Sequence, residues 1–217
     1  MRSIVSAGLQ YTEGYSNASL LKKMLIEARL FQYFSVVAKF FNSERIVDTW
    51  ALIIGVFRRP KMIEIEIPGF TTYRLQHIVL DVNGTIAKDG KLIEGVKELF
   101  AELRSRLDIH LVTADTHGGQ SLIDETLSLT AVRIQSQDQI KAKLDYIRQL
   151  GADKVVAVGN GANDSAMLEH AALGIVVMGP EGTAVESLLN AKVAVSDIRG
   201  ALELLIYPKR LMATLRR

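Results

Sequence analysis

Five short apolar runs constrain this chain most: HIVL (77–80), IHLVTAD (109–115), KVVAVG (154–159), GIVVMG (174–179) and VAVS (193–196). Each is followed by a stretch of helical periodicity. In Ile93–Leu107 the apolar positions Val96, Leu99/Phe100, Leu103 and Leu107 share one face. In Gln137–Leu150 they are Ile140, Leu144 and Ile147, with Gly151 placed to end the helix. Further helices are expected over 119–128, Ser165–Ala172, TAVESLLNA and 197–214, with a brief strand at Val132–Ile134. Strands that are apolar throughout and alternate with helices predict an α/β fold, a doubly wound parallel sheet covered on both faces. Ahead of them, Ile63, Ile65 and Ile67 alternate with Glu64 and Glu66, the pattern of a half-buried strand, which Pro68-Gly69 stops.

The ends of these strands are polar in an unusual way. The first runs into Asp81-Val-Asn83-Gly-Thr85, the second ends in Thr113-Ala114-Asp115-Thr116, and the third leads to Gly159-Asn160-Gly-Ala-Asn163-Asp164. In a parallel sheet such ends converge on one edge, where α/β proteins bind ligands. Taken alone, Asp81 with Gly84 would suit an ordinary Asx turn. Together, the carboxylates, a hydroxyl, glycine-rich turns and a lysine (Lys143 or Lys141) suit a phosphate and Mg²⁺ better than an apolar ligand. With helical phase measured from Ile140, Lys143 falls next to Ile147 and Leu150, which favours it over Lys141. No Ser-His-Asp order, HExxH or P-loop is present, and GNG is too short for a dinucleotide fingerprint.

Composition excludes several classes. There is no cysteine, which removes disulfides and thiolate metal sites and fits a reducing compartment. The four histidines lack ligand spacing. With 48% hydrophobic and 23% charged residues the chain has a globular composition, and no run reaches the roughly 20 apolar residues of a membrane span. The expectation is a soluble, cytoplasmic protein with no nucleic-acid partner. The formal charge of +2 hides an asymmetry. Residues 1–61 carry nine Lys/Arg against four Asp/Glu and hold nine of the fourteen aromatics. They are therefore separated, as a helical extension, from a domain over 62–217. Residues 18–41 have helical spacing on an aromatic face, and Ser43 is placed to cap a second helix over 44–57. That extension could pack on the domain behind it or lie on a membrane or partner. It could also be missing from a mature protein that starts at Met62.

The motifs DVNGT (81–85), TAD (113–115), a helical lysine and GNGANDSAMLEHAALGIVVMGPEGTAVESLLNA (159–191), in this order, resemble the haloacid dehalogenase (HAD) superfamily, and within it the phosphorylation domain of P-type ATPases. The resemblance covers residues 76–198 or so and implies a HAD-like Rossmannoid core without a large cap. It implies that Asp81 is a nucleophile forming an aspartyl phosphate, that the Asn83 carbonyl faces Mg²⁺, and that Thr113 and Lys143 hold the phosphoryl oxygens. It also places Asn160 and Asp164 with Asp81 in the metal site, and Thr85, Ala114 and Asn163 along the substrate.

The chain departs from the family's phosphatases at two positions. Asn83 stands where they carry the acid/base aspartate, and an amide cannot move that proton. General acid–base help is worth ~10²–10⁴, which from ~10 s⁻¹ leaves ~10⁻³–10⁻¹ s⁻¹. Asn160 replaces an aspartate that would bind Mg²⁺. The interval between Asp81 and Thr113 cannot hold a nucleotide-binding domain, nor can that between Thr113 and Lys143 hold a large cap. The expected protein is a slow Mg²⁺-dependent phosphohydrolase acting on a phosphorylated substrate, its open cleft free to be covered by a partner or a second copy. The alternative is a phosphate-binding or regulatory module that has lost the chemistry.

Overall fold

The computed structural model describes residues 61–114, 120–135 and 137–217. The helices expected within 18–57, and Asp115 and Thr116, lie outside the described residues.

β1 (Ile63–Ile67) and β2 (Thr71–Leu75) form an antiparallel hairpin, in which Ile63, Ile65 and Ile67 are buried and the intervening glutamates exposed. β3 (His77–Asp81) enters the main sheet. A two-residue hairpin follows, β4 (Ala87–Lys88) and β5 (Lys91–Leu92), with Asp89 and Gly90 at positive φ in its turn. Next come α1 (Val96–Leu103), β6 (Asp108–Thr113), α2 (Gln120–Leu127), β7 (Val132–Arg133), α3 (Gln139–Leu150) and β8 (Val155–Gly159). A 3₁₀ turn at Ala162–Asp164 leads into α4 (Ser165–His170), then β9 (Leu173–Val177), α5 (Val185–Asn190), β10 (Val193–Val195), α6 (Ile198–Ile206) and α7 (Pro208–Leu215).

The central sheet has six strands in the order β10-β9-β8-β3-β6-β7, all parallel. Starting from β3 the chain builds outward through β6 to β7, then returns to the other side of β3 through β8, β9 and β10. The direction of winding therefore reverses between β3 and β8, and the crevice beyond their carboxyl ends is where doubly wound sheets bind ligands. Both faces are covered, as the unbroken apolar runs require. Ile78, Leu80, Leu111, Val156, Val158 and Ile175 pack on the side of α1 and α6, through Phe100 and Leu202. Val79, Val112, Val155, Ala157 and Val176 pack on the other, against Ile147 of α3 and Met167 and Leu168 of α4. Each such side chain stabilises the fold by about 1.5–3 kcal/mol on burial.

Two expectations about helices change. The closing helix is not continuous over 197–214: it breaks at Tyr207, whose φ −115° and ψ 72° leave the helical region. Pro208 is the cause, since its ring disfavours the helical conformation in the residue before it and it has no N–H to donate. The helix read over Ile93–Leu107 is shorter, beginning only at Val96 after Gly95 at φ 86°. Among the described residues, the interval between β3 and β6 holds only the small hairpin and α1, in agreement with a core that has no large cap.

Candidate active site

The site begins with a tight turn. After Asp81, the Val82 carbonyl accepts the N–H groups of Thr85, Ile86 and Ala87 at 3.3, 3.0 and 2.9 Å, while the Gly84 N–H donates to Ala87 at 2.8 Å. Gly84 has φ +77°, and a Cβ there would lie 2.5 Å from the Asn160 side-chain nitrogen. Glycine is therefore needed twice over, for the turn and for the approach of the β8 loop.

Asp81 is 7% exposed at the end of β3. Lys143, fully buried on α3, places its Nζ 2.7 Å from Asp81 Oδ1 and 2.6 Å from Asp164 Oδ1. Lys141, the other sequence candidate, is exposed, and its backbone N–H is the one capped by Asp138. Asp164 is fully buried, and its Oδ2 accepts the backbone N–H groups of Asn160 (3.0 Å) and Gly161 (2.9 Å). Thr85 is also fully buried; its hydroxyl lies 3.0 Å from Asn160 Oδ1 and 3.4 Å from Asp81 Oδ2, so its one proton goes mainly to Asn160. Asn160 Nδ2 donates to the Gly182 carbonyl at 3.0 Å. Asn83 Nδ2 reaches the Thr113 hydroxyl at 3.4 Å, joining the ends of β3 and β6.

Burial and the neighbouring Asp164 charge push the Asp81 carboxyl up to about 7, against the opposing pull of Lys143. Lys143 is held above its ordinary value: burial works against its charge, but the two carboxylates more than offset that. A cation shared by two buried carboxylates leaves one negative charge in a place poor in water, and that charge is the feature most useful for chemistry here.

The residues expected around a substrate divide. Asp81, Asn83, Thr85, Thr113, Lys143, Asn160 and Asp164 converge at the ends of β3, β6 and β8 and the start of α3. Ala114 follows β6 and is half-buried. Asn163 is turned to another task, donating from Nδ2 to Gln139 Oε1 at 2.8 Å and so tying the glycine loop to the start of α3. Asp164, expected to complete a metal site, has both oxygens engaged by Lys143 and two backbone amides, which fits a role in holding the lysine and the loop. The sequence reading also passed over the segment after β9. A Cβ at Gly179 would meet the Gly84 carbonyl at 2.8 Å, Glu181 accepts the Asp89 N–H at 2.8 Å, and the Ala184 N–H donates to the Asn160 carbonyl at 2.9 Å. The GPEGT stretch (179–183) signalled a turn but not its position across the mouth.

Among the described residues there is no group of three or more His, Asp or Glu side chains able to hold a metal. Asp81 Oδ2 and Asn160 Oδ1 lie near one another, joined through the Thr85 hydroxyl. Two hard oxygens with one carboxylate suit Mg²⁺, which is commonly held by one or two carboxylates together with substrate phosphate and water.

This sheet order, with a carboxylate and a lysine at its switch point, is that of a HAD-like fold. In agreement, the chain overlays the structure of a putative 3-deoxy-D-manno-octulosonate 8-phosphate phosphatase from Vibrio cholerae with a TM-score of 0.51, at 12% identity over 69% of this chain and 97% of that one. No family model matches the chain. It is 42% identical over 79 residues to uncharacterized protein MJ0073 of Methanocaldococcus jannaschii, 35% of this chain and 85% of that protein, and it belongs to the same family. It is also 29% identical over 126 residues to a probable copper-transporting P-type ATPase B of Staphylococcus aureus, 57% of this chain but 19% of the ATPase. The similarity thus leaves most of the ATPase unmatched. Among the described residues no helix is long and apolar enough to cross a membrane.

Proposed function

We propose that this protein is a slow Mg²⁺-dependent phosphohydrolase that works through an aspartyl phosphate on Asp81. The observation that carries the reading is the buried Asp81–Lys143–Asp164 arrangement at the switch point of the sheet, with Lys143 Nζ 2.7 and 2.6 Å from the two carboxylates. In the first step a carboxylate oxygen of Asp81 forms a bond to phosphorus as the bond to the leaving oxygen breaks. Lys143 offsets charge on the phosphoryl oxygens and Thr113 donates a hydrogen bond to them. The residues that would hold Mg²⁺ are Asp81, the Asn83 carbonyl and Asn160; a bound Mg²⁺ would offset charge on the transferring group.

Asn83 sets the rate. The leaving oxygen needs a proton and the hydrolytic water must lose one, and an amide does neither. Both steps then depend on solvent, which favours substrates whose leaving group is already acidic and leaves the acyl phosphate long-lived. In this reading the substrate is a phosphorylated small molecule or macromolecule, since the interval between β3 and β6 holds only the small hairpin and α1. A partner or a second copy could serve as a lid.

Incubation with acetyl phosphate and Mg²⁺ tests this directly. Mass spectrometry should find a phosphoryl adduct on the peptide containing Asp81, absent from Asp81→Asn. No adduct and no release of phosphate would reject the proposal. The substitutions Asn83 and Asn160 favour one competing reading, a phosphate-binding regulatory module; it predicts binding of phosphate without an adduct.

A further inference from the structure

The two buried carboxylates have unequal freedom. Asp164 has its Oδ1 2.6 Å from Lys143 Nζ and its Oδ2 3.0 and 2.9 Å from the N–H groups of Asn160 and Gly161. Its Oδ2 is thus engaged by two backbone amides and its Oδ1 by the ammonium. Asp81 has Oδ1 on the same ammonium at 2.7 Å, and its Oδ2 lies 3.4 Å from the Thr85 hydroxyl. Beside it stands the neutral amide oxygen of Asn160, 3.0 Å from the same hydroxyl. Toward a cation, then, the side chains of Asp81 and Asn160 offer one carboxylate and one neutral amide beside the Asn83 carbonyl, and the charge of Asp81 is already partly balanced by Lys143.

With Asp81 ionised, charge counting over Lys143, Asp81 and Asp164 gives −1 for the resting site among the described residues. A divalent cation entering alone turns this to +1, with a single carboxylate in contact. A phosphoryl dianion entering alone turns it to −3, with Lys143 to meet it. Entering together they leave it at −1. At this degree of burial, each unbalanced unit charge weakens binding by about tenfold or more. Lys143 thus acts as the resident cation of the empty site, and Asn160 removes the second charge that would let a metal bind by itself. Resting on the aspartyl-phosphate reading, we infer that this site takes Mg²⁺ and a phosphoryl group only as a pair, each greatly weakened without the other.

The consequence is a reciprocal coupling, because each ligand must raise the affinity of the other by the same factor. An enzyme built this way holds no metal while idle and assembles its metal site on its substrate.

Isothermal titration calorimetry on the full chain tests the pairing with MgCl₂ alone, inorganic phosphate alone, and each in the presence of the other. The expected result is a Kd for Mg²⁺ at least about tenfold lower with phosphate present, and the same factor for phosphate with Mg²⁺ present. Asn160→Asp should tighten the binding of Mg²⁺ alone by about tenfold and shrink the coupling. A urea midpoint for that variant checks that loss of the bond to the Gly182 carbonyl has not unfolded it, and the wild-type titrations decide the matter if it has. Equal Mg²⁺ affinity with and without phosphate overturns the inference, as does silence in every titration. Coupled binding with no adduct from acetyl phosphate would leave the inference standing and remove the catalytic reading. Independent Mg²⁺ binding with an adduct on Asp81 would do the reverse.

Discussion

Replacing Lys143 by methionine keeps an unbranched side chain of similar length on α3 and removes only the charge and its donors. Asp81 and Asp164 would then face one another, 7% and 0% exposed, with no cation between them. Removing one member of a buried ion pair costs about 3–5 kcal/mol, because the other charge is left uncompensated. For a domain of this size that corresponds to a fall in Tm of ~6–20 °C. The deficit should depend on pH with a definite sign. Asp81 is already pushed up to about 7 by burial and by Asp164, and loss of Lys143 removes the main force opposing that rise. A carboxyl with a raised folded pKa binds more protons folded than unfolded, so its contribution to stability is present at low pH and lost as pH rises through the folded value. Lys143→Met should therefore be much less stable than wild type at pH 8 and recover much of the difference at pH 5, as one carboxyl becomes neutral and donates to the other. Urea denaturation of both proteins at the two pH values measures this. A double variant, Lys143→Met with Asp164→Asn, should regain part of the loss by removing one of the opposed charges. If Lys143→Met is within about 1 kcal/mol of wild type at pH 8, Lys143 does not hold this site together.

Asn83→Asp should speed breakdown of the phosphoenzyme by ~10²–10⁴, read as the decay of labelled Asp81 after acetyl phosphate is removed; an unchanged lifetime would mean that Asn83 is not what limits hydrolysis. Gly174→Ala should destabilise by about 1–3 kcal/mol or more in urea, because a Cβ there collides with the Leu168 backbone carbonyl where α4 crosses β9, and a backbone atom cannot rotate away. At the other end of the sheet, His110 bonds His77 at 3.2 Å and the Tyr146 hydroxyl at 2.9 Å, and burial followed by the His77 charge holds its pKa down. The unfolded chain then takes up that proton first, so wild type should lose stability relative to His110→Gln as pH falls from 7 to 5, with Asp81 common to both proteins and cancelling in the comparison. Parallel pH profiles for the two would count against it.

The strands were legible because burial on both faces leaves no alternative to continuous apolar sequence, and Val155–Gly159 and Leu173–Val177 fall within two residues of the runs that announced them. Asp81 stood out as a candidate because it ends an apolar strand run, and Asp164 because it closes the polar glycine loop after β8. Lys143 was separable from Lys141 by helical phase, since it shares a face with Ile147, which is fully buried. What escaped was set by contacts distant in sequence. Nothing near Asn163 says that its amide will be taken by Gln139, and nothing near Glu181 says that it will pin Asp89. The hairpin at Ala87–Leu92 did carry an Asp-Gly turn signal, but strands of two residues are too short to show a period. Pro208 was a signal available in the sequence, and the break at Tyr207 follows from it.

One face of the sheet unites these features. Along β3 the residues directed to α3 are His77, Val79 and Asp81, and along β6 they are His110 and Val112. α3 meets them with Lys143 near its start and Tyr146 one turn later, so it bonds polar groups at both ends of a dry centre built from Val79, Val112 and Ile147. An α-helix rises 1.5 Å per residue and a strand about 3.3 Å, so the four residues from His77 to Asp81 span roughly 13 Å against ~5 Å from Lys143 to Tyr146, the long side chains covering the remainder. Polar bonds at both ends fix the position of the helix along the strands, which apolar contacts alone leave free to slide. Lys143 is thereby held at Asp81 by the fold as well as by charge. This predicts that Tyr146→Phe, far from the phosphate, costs about 1 kcal/mol through the unpaired imidazole nitrogen and in addition slows adduct formation on Asp81, whereas a merely local role would change stability alone.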